Sequence, residues 1–195
     1  GPDGAAGKTR SAPMTQLRQQ WLSFSAPGWR QLLLFKAGWL ALVLQPVYSA
    51  LAVALLLLWF IWQLKVQQRQ VLFTLWGSGL LLDTALNASG FFQFESSWLP
   101  YWLLLLWGWF SLFWLMLFSR WLQNPILVAL FGLIGGPVAY WGGAQLSSQM
   151  LIIDGAAFWL VMAPAWAALL LWSRQTEVWW HNYHVNQQRS RNHVG

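Results

Sequence analysis

Residues 98–119 read "WLPYWLLLLWGWFSLFWLMLFS", a run of twenty-two without one charge. A helix of about 20 such residues crosses the roughly 30 Å hydrocarbon core of a bilayer. In water the same run needs cover on every side, and a chain this short has too little polar sequence to supply it. Five further segments share the character: about 29–45, 47–64, 70–90, 125–146 and 150–173. Composition agrees. Of 195 residues, 57% are hydrophobic and 8% charged, against about 25% charged in an ordinary soluble domain. The predicted fold class is all-α: a polytopic membrane protein built as a bundle of six transmembrane helices. The short connections make neighbouring helices antiparallel.

The charges test that count independently. With the N-terminus in the cytoplasm, Arg18, Arg30, Lys65, Arg69, Arg120, Arg174, Arg189 and Arg191 all fall on the inner side. The outer connections carry no Lys or Arg, and Glu95 is the single charge there. Basic residues on alternate loops are the positive-inside pattern. Six spans with both termini cytoplasmic satisfy it, whereas five or seven put arginines outside. Aromatic residues flank the spans as headgroup-level anchors: Trp98, Tyr101, Trp102, Tyr140 and Trp141 at outer ends, and Trp59, Trp62, Trp121 and Trp172 at inner ends.

The flanks divide the rest. Residues 1–13, "GPDGAAGKTRSAP", read as a foreign remnant outside the fold. Residues 14–28 place Leu17, Trp21 and Phe24 at helical spacing, which predicts an interfacial amphipathic segment. The six-helix domain covers 29–174, and 175–195 form a cytoplasmic polar tail. There is no cysteine, so disulfides and thiolate metal sites are excluded. The net charge of +6 is a topology signal of a membrane protein, not a nucleic-acid footprint.

Charge inside the membrane is the strongest pointer to a site, because each such residue costs at least about 2.5–3.5 kcal/mol at a helix centre. Lys36 lies near the middle of the first helix and Asp83 in the outer half of the third, at depths about one turn apart. Such a pair cancels much of the cost, either as a register pin or as a proton- or substrate-handling site. Gly79, Asn87 and Gly90 share the face of Asp83, so another backbone can approach and Asn87 can hydrogen-bond one turn above the carboxylate. Asp154 stands at the outer mouth of the sixth helix, where a first-turn carboxylate suits the helix dipole. The block "GGPVAYWGG" (Gly135, Gly136, Pro137, Tyr140, Gly142, Gly143) predicts a kink or a broken helix. It serves either close packing or contact with a lipid or substrate. His181 and His184 are a weak metal candidate without a third ligand beyond Glu177. No nucleophile elbow, phosphate loop or dinucleotide fingerprint occurs, and no cofactor is implied.

Several blocks resemble the domain-of-unknown-function family 2878, small multi-pass inner-membrane proteins of Gram-negative bacteria. They are "FKAGWLALVL" (35–44), "GLLLDTALNASGFFQF" (79–94), "LPYWLLLLWGWFSLF" (99–113), "RWLQNPILVALFGLIGGPVAYWGGAQL" (120–146) and "PAWAALLLW" (164–172). The resemblance implies the bacterial inner membrane and no established activity. It also implies gene neighbours that modify membrane fatty acids. One departure stands out: where the family pattern places Asn and His near the inner end of the fourth helix, 115–119 read "LMLFS".

The leading expectation is an accessory or scaffold protein in membrane lipid (fatty acid) modification or envelope maintenance. Its partners are membrane lipids, with a lipid-modifying membrane enzyme or a second copy of the chain; nucleic acid is not among them. Two rivals stay open: a small proton-coupled transporter using Asp83 and Lys36, and an intramembrane lipid-modifying enzyme.

Overall fold

The computed structural model describes residues 28–94, 99–118, 122, 124–148, 150–152 and 155–192. The expected remnant, nearly all of the interfacial segment, Glu95, Trp98, Arg120, Trp121 and Asp154 lie outside the described residues. Helices dominate: α1 (Gly28–Leu44), α2 (Pro46–Gln63), α3 (Val66–Ala88), α4 (Tyr101–Phe113) running on into a π-helical turn (Trp114–Phe118), α5 (Pro125–Leu146) and α6 (Ala156–Asn192). Two three-residue strands, β1 (Phe92–Phe94) and β2 (Met150–Ile152), pair antiparallel with Gln93 opposite Leu151. They tie the α3–α4 and α5–α6 connections together at one end of the bundle.

Local chemistry sets the helix boundaries. Pro46 lacks an N–H and stands at the first position of α2, where no donor is needed. Ser49 Oγ donates to the Ala41 carbonyl at 2.9 Å and stitches the α1–α2 break. At the other end of α2, Arg69 donates to the carbonyls of Ile61 (3.0 Å) and Trp62 (2.6 Å), a cation on the negative end of a helix. Asn124 caps α5 by accepting from the Ile126 N–H at 2.9 Å, with Pro125 next.

The charge-free run quoted above becomes the centre of the molecule. Every residue from Trp107 to Trp114 is buried, as expected of a helix apolar on all sides. α4 packs against α1, α2 and α3, and its Trp107 and Phe110 rings meet Trp166 of α6. The outer helices turn leucines outward instead: Leu51 is 70% exposed and Leu160 73%. That surface suits lipid and not water.

Among the described residues, five helices are long and apolar enough to cross a membrane: α2, α3, Tyr101–Phe118, α5 and Ala156–His184 of α6. α1, the expected sixth, has 17 residues, about 26 Å at 1.5 Å per residue. The polar tail is not a separate segment, since α6 continues helical to Asn192. Its 37 residues measure about 55 Å, well beyond the hydrocarbon thickness. His184 Nε2 meets Gln70 Oε1 at 2.7 Å and holds this extension to the start of α3.

Candidate functional site

α5 is one unbroken helix through Pro137, which corrects the expected break. Proline deletes one N–H and crowds the preceding turn. Here that turn holds Gly135 and Gly136, where there is little side chain to clash. The glycines divide into two sets. Gly132 and Gly136 face α6, where a Cβ on Gly132 would meet the Ala167 Cα at 2.6 Å and one on Gly136 would run into the Trp166 ring. This four-residue spacing of small residues lets two membrane helices approach closely. Gly135, Gly142 and Gly143 turn elsewhere. A Cβ on Gly142 has nothing within 4 Å, and one on Gly143 touches only Trp39 at 3.9 Å.

The second set lines a cavity of about 390 Å³ between α1, α4 and α5, within the usual range for small-molecule sites. α1 contributes Leu32, Phe35, Lys36, Trp39 and Val43, a single helical stripe. α4 contributes Trp102, Leu106 and Trp107 among others, α5 runs from Phe131 to Gly143, and Met150 of β2 closes the strand-bearing end. From Leu32 to Val43 the cavity follows α1 for about 17 Å, and along α5 for about 18 Å. Its lining on both walls runs parallel to the helix axes, so the cavity is a slot between helices.

Asp83 stands behind the slot wall. It is wholly buried, and its Oδ2 accepts hydrogen bonds from Trp107 Nε1 and Tyr140 Oη, both at 2.6 Å. Oδ1 makes no hydrogen bond among the described residues. One carboxylate thus joins α3, α4 and α5. The Trp107 ring lies on Gly79, one turn below Asp83, and a Cβ there would overlap it. Trp166 stacks on Trp107 (centroids 5.0 Å apart, planes 15° apart) and meets the edge of Tyr140 at 5.8 Å. Trp107, Trp166 and Tyr140 all line the slot.

The expected Lys36–Asp83 pair does not form. Lys36 is exposed on the α1 wall, with its Nζ 5.9 Å from the Phe35 ring centroid and 5.4 Å from that of Trp39. The physical reason is Trp107: the face that Gly79 opens beside Asp83 is filled by an indole, whose N–H occupies the carboxylate. Asn87 is half-buried, off the slot, and does not bond to Asp83. Pro137 is buried without lining the slot. Tyr140 is no headgroup anchor but is buried on Asp83, and Trp102 is likewise buried. Trp59, Trp62, Trp141 and Trp172 are exposed as anchors should be. His181 is exposed and His184 is engaged by Gln70. Among the described residues no group of three His, Asp or Glu side chains gathers to hold a metal ion.

Sequence reasoning brought Lys36, Gly135, Gly136, Tyr140, Gly142 and Gly143 to attention, and the fold places all six on one cavity. It missed Trp107 and Trp166. Among 18 tryptophans nothing local singles these two out. The available signal was the Gly79–Asp83 spacing, a bare site one turn from an acceptor, which is what a buried indole needs.

No curated protein and no solved structure matches the chain. The profile of a family described as "Protein of unknown function (DUF2878)" matches residues 28–172, which hold the slot, the Asp83 network and the α5–α6 glycine contact. The chain therefore belongs to the domain-of-unknown-function family 2878.

Proposed function

We propose that this protein holds the hydrocarbon chain of a membrane lipid in the slot between α1, α4 and α5, as an accessory or scaffold in membrane lipid modification. The observation that carries this reading is the slot's lining: it follows α1 and α5 for several turns and is walled by aromatic rings and bare glycine backbone. An extended alkyl chain matches that form, and lipid is the medium into which the surrounding leucines face. In this reading α1 is the sixth span, within the ~17–25 residue range. Both termini are cytoplasmic and the strand-bearing end faces outward. The inner bacterial membrane follows from the family resemblance.

The observations favour this over transport or catalysis. A transporter of the kind expected needs a broken α5 and an accessible Asp83, but α5 is continuous and Asp83 is wholly buried. An acid or base must reach its substrate, whereas Asp83 stands behind Trp107 and Tyr140.

Filling the slot tests the proposal. Gly142→Leu adds a side chain where a Cβ meets nothing within 4 Å, so the bundle should fold normally. Saturable binding of an uncharged long-chain probe such as hexadecanol should fall at least about tenfold, the effect of losing roughly 1.4 kcal/mol. Unchanged binding in the folded variant would sink the reading.

A further inference from the structure

Resting on the chain-binding reading, we propose that Lys36 makes the slot selective for a fatty-acid carboxylate. Among the described residues, Lys36 is the one charged residue lining the slot. Among the described residues it makes no ion pair, and its contacts are the faces of Phe35 and Trp39. An ammonium resting on aromatic rings still has N–H donors for an oxygen acceptor. Neither acid among the described residues serves it. Asp83 is bonded to Trp107 and Tyr140, and Glu177 stands on α6 beside Arg174, outside the slot. A cation left without an anion at the edge of an apolar slot is a recognition element for an anionic amphiphile.

Position narrows the class. Lys36 is the ninth residue of the 17 in α1, and its ammonium lies beside the Phe35 and Trp39 rings at the edge of the slot. From there the lining through Trp39, Val43 and Trp102 to Met150 is apolar apart from Ser147. An acid bound with its carboxylate on Lys36 lays its chain along that stripe toward the strand-bearing end. The head must be small, because it lies between helices and not at the headgroup level. At about 390 Å³ the cavity stands near the low end of small-molecule sites, with room for one chain and not for two. A carboxylate on one chain meets both conditions; a diacyl phospholipid meets neither.

The test compares palmitic acid with hexadecanol, which share chain length and differ in the head, on the full chain in detergent micelles by scintillation proximity. Palmitic acid should bind at least about tenfold more tightly than the alcohol, and Lys36→Gln should weaken it about ten- to a hundredfold while leaving the alcohol unchanged. Lys36→Arg keeps the charge and should retain most of the preference. Equal binding of acid and alcohol by the native protein, or a preference that survives in Lys36→Gln, overturns the proposal while leaving chain binding intact. Displacement of palmitic acid by phosphatidylglycerol at equal concentration overturns the choice of a single-chain carboxylate. If neither probe binds saturably, the chain-binding reading fails and this proposal fails with it.

Discussion

Asp83→Leu is the most informative single change, because Asp83 joins three helices through two hydrogen bonds of 2.6 Å. Leucine keeps the branched heavy-atom skeleton, at a larger volume, and removes both acceptors. Interhelical hydrogen bonds in membranes are worth about 0.6 kcal/mol on average and up to about 1.7, so two of them supply about 1–3 kcal/mol. The Trp107 N–H then loses its carboxylate acceptor while buried, which moves the loss toward the upper end. The opposing effect is relief of holding a carboxyl group in hydrocarbon, about 2.5–3.5 kcal/mol on insertion scales. That relief acts mainly on helix insertion, before the helices pack, and largely cancels in unfolding of an inserted bundle. The expected net loss is about 2–4 kcal/mol. It is read by dodecyl sulfate titration of purified protein in mixed micelles, followed by circular dichroism and tryptophan emission. Tyr140→Phe in the native background should cost about 1 kcal/mol, and in the Asp83→Leu background close to nothing. Asp83→Asn keeps an acceptor oxygen and should lose about 1 kcal/mol. Asp83→Leu within about 0.5 kcal/mol of the native protein, or a Tyr140 effect that is the same in both backgrounds, would refute the network as a structural pin.

Gly132→Leu should destabilise the α5–α6 contact by about 1–3 kcal/mol in the same titration, since even a Cβ there meets the Ala167 backbone at 2.6 Å. Gly142→Ala faces open space and should be neutral or stabilising by up to about 1 kcal/mol. Zinc or chelator should leave the thermal midpoint unchanged, because His184 is bonded to Gln70 and no cluster of three ligands forms among the described residues; a zinc-dependent rise would contradict this. The chain lacks cysteine, so single cysteines report sidedness directly. A thiol at Gln93 should react with an impermeant maleimide on intact cells, and one at Gln67 only after permeabilisation. The reverse pattern would overturn the assigned topology.

Much of the architecture was legible in the sequence for a simple reason. A bilayer demands long apolar helices, and the charges left over must sit at their ends. That constraint acts on each segment alone, so residue order suffices to locate five spans, their breaks at Pro46 and near Lys65, and the suspect residues Lys36, Asp83 and Gly135–Gly143. Two inferences failed where the answer depended on a third element. Lys36 and Asp83 match in depth, yet Trp107 enters the space beside Gly79 and takes the carboxylate. The glycine-rich block looks breakable, yet α6 packs against Gly132 and Gly136, and the helix remains whole. The polar end of α6 stays helical, and its His184 meets Gln70 more than a hundred positions away. Side-chain type and spacing are local properties, and the sequence by itself determined those. Which tryptophan fills which gap, and that the remaining gap is a largely apolar slot with Lys36 on its wall, depends on how six helices share volume. Only the tertiary structure decided that.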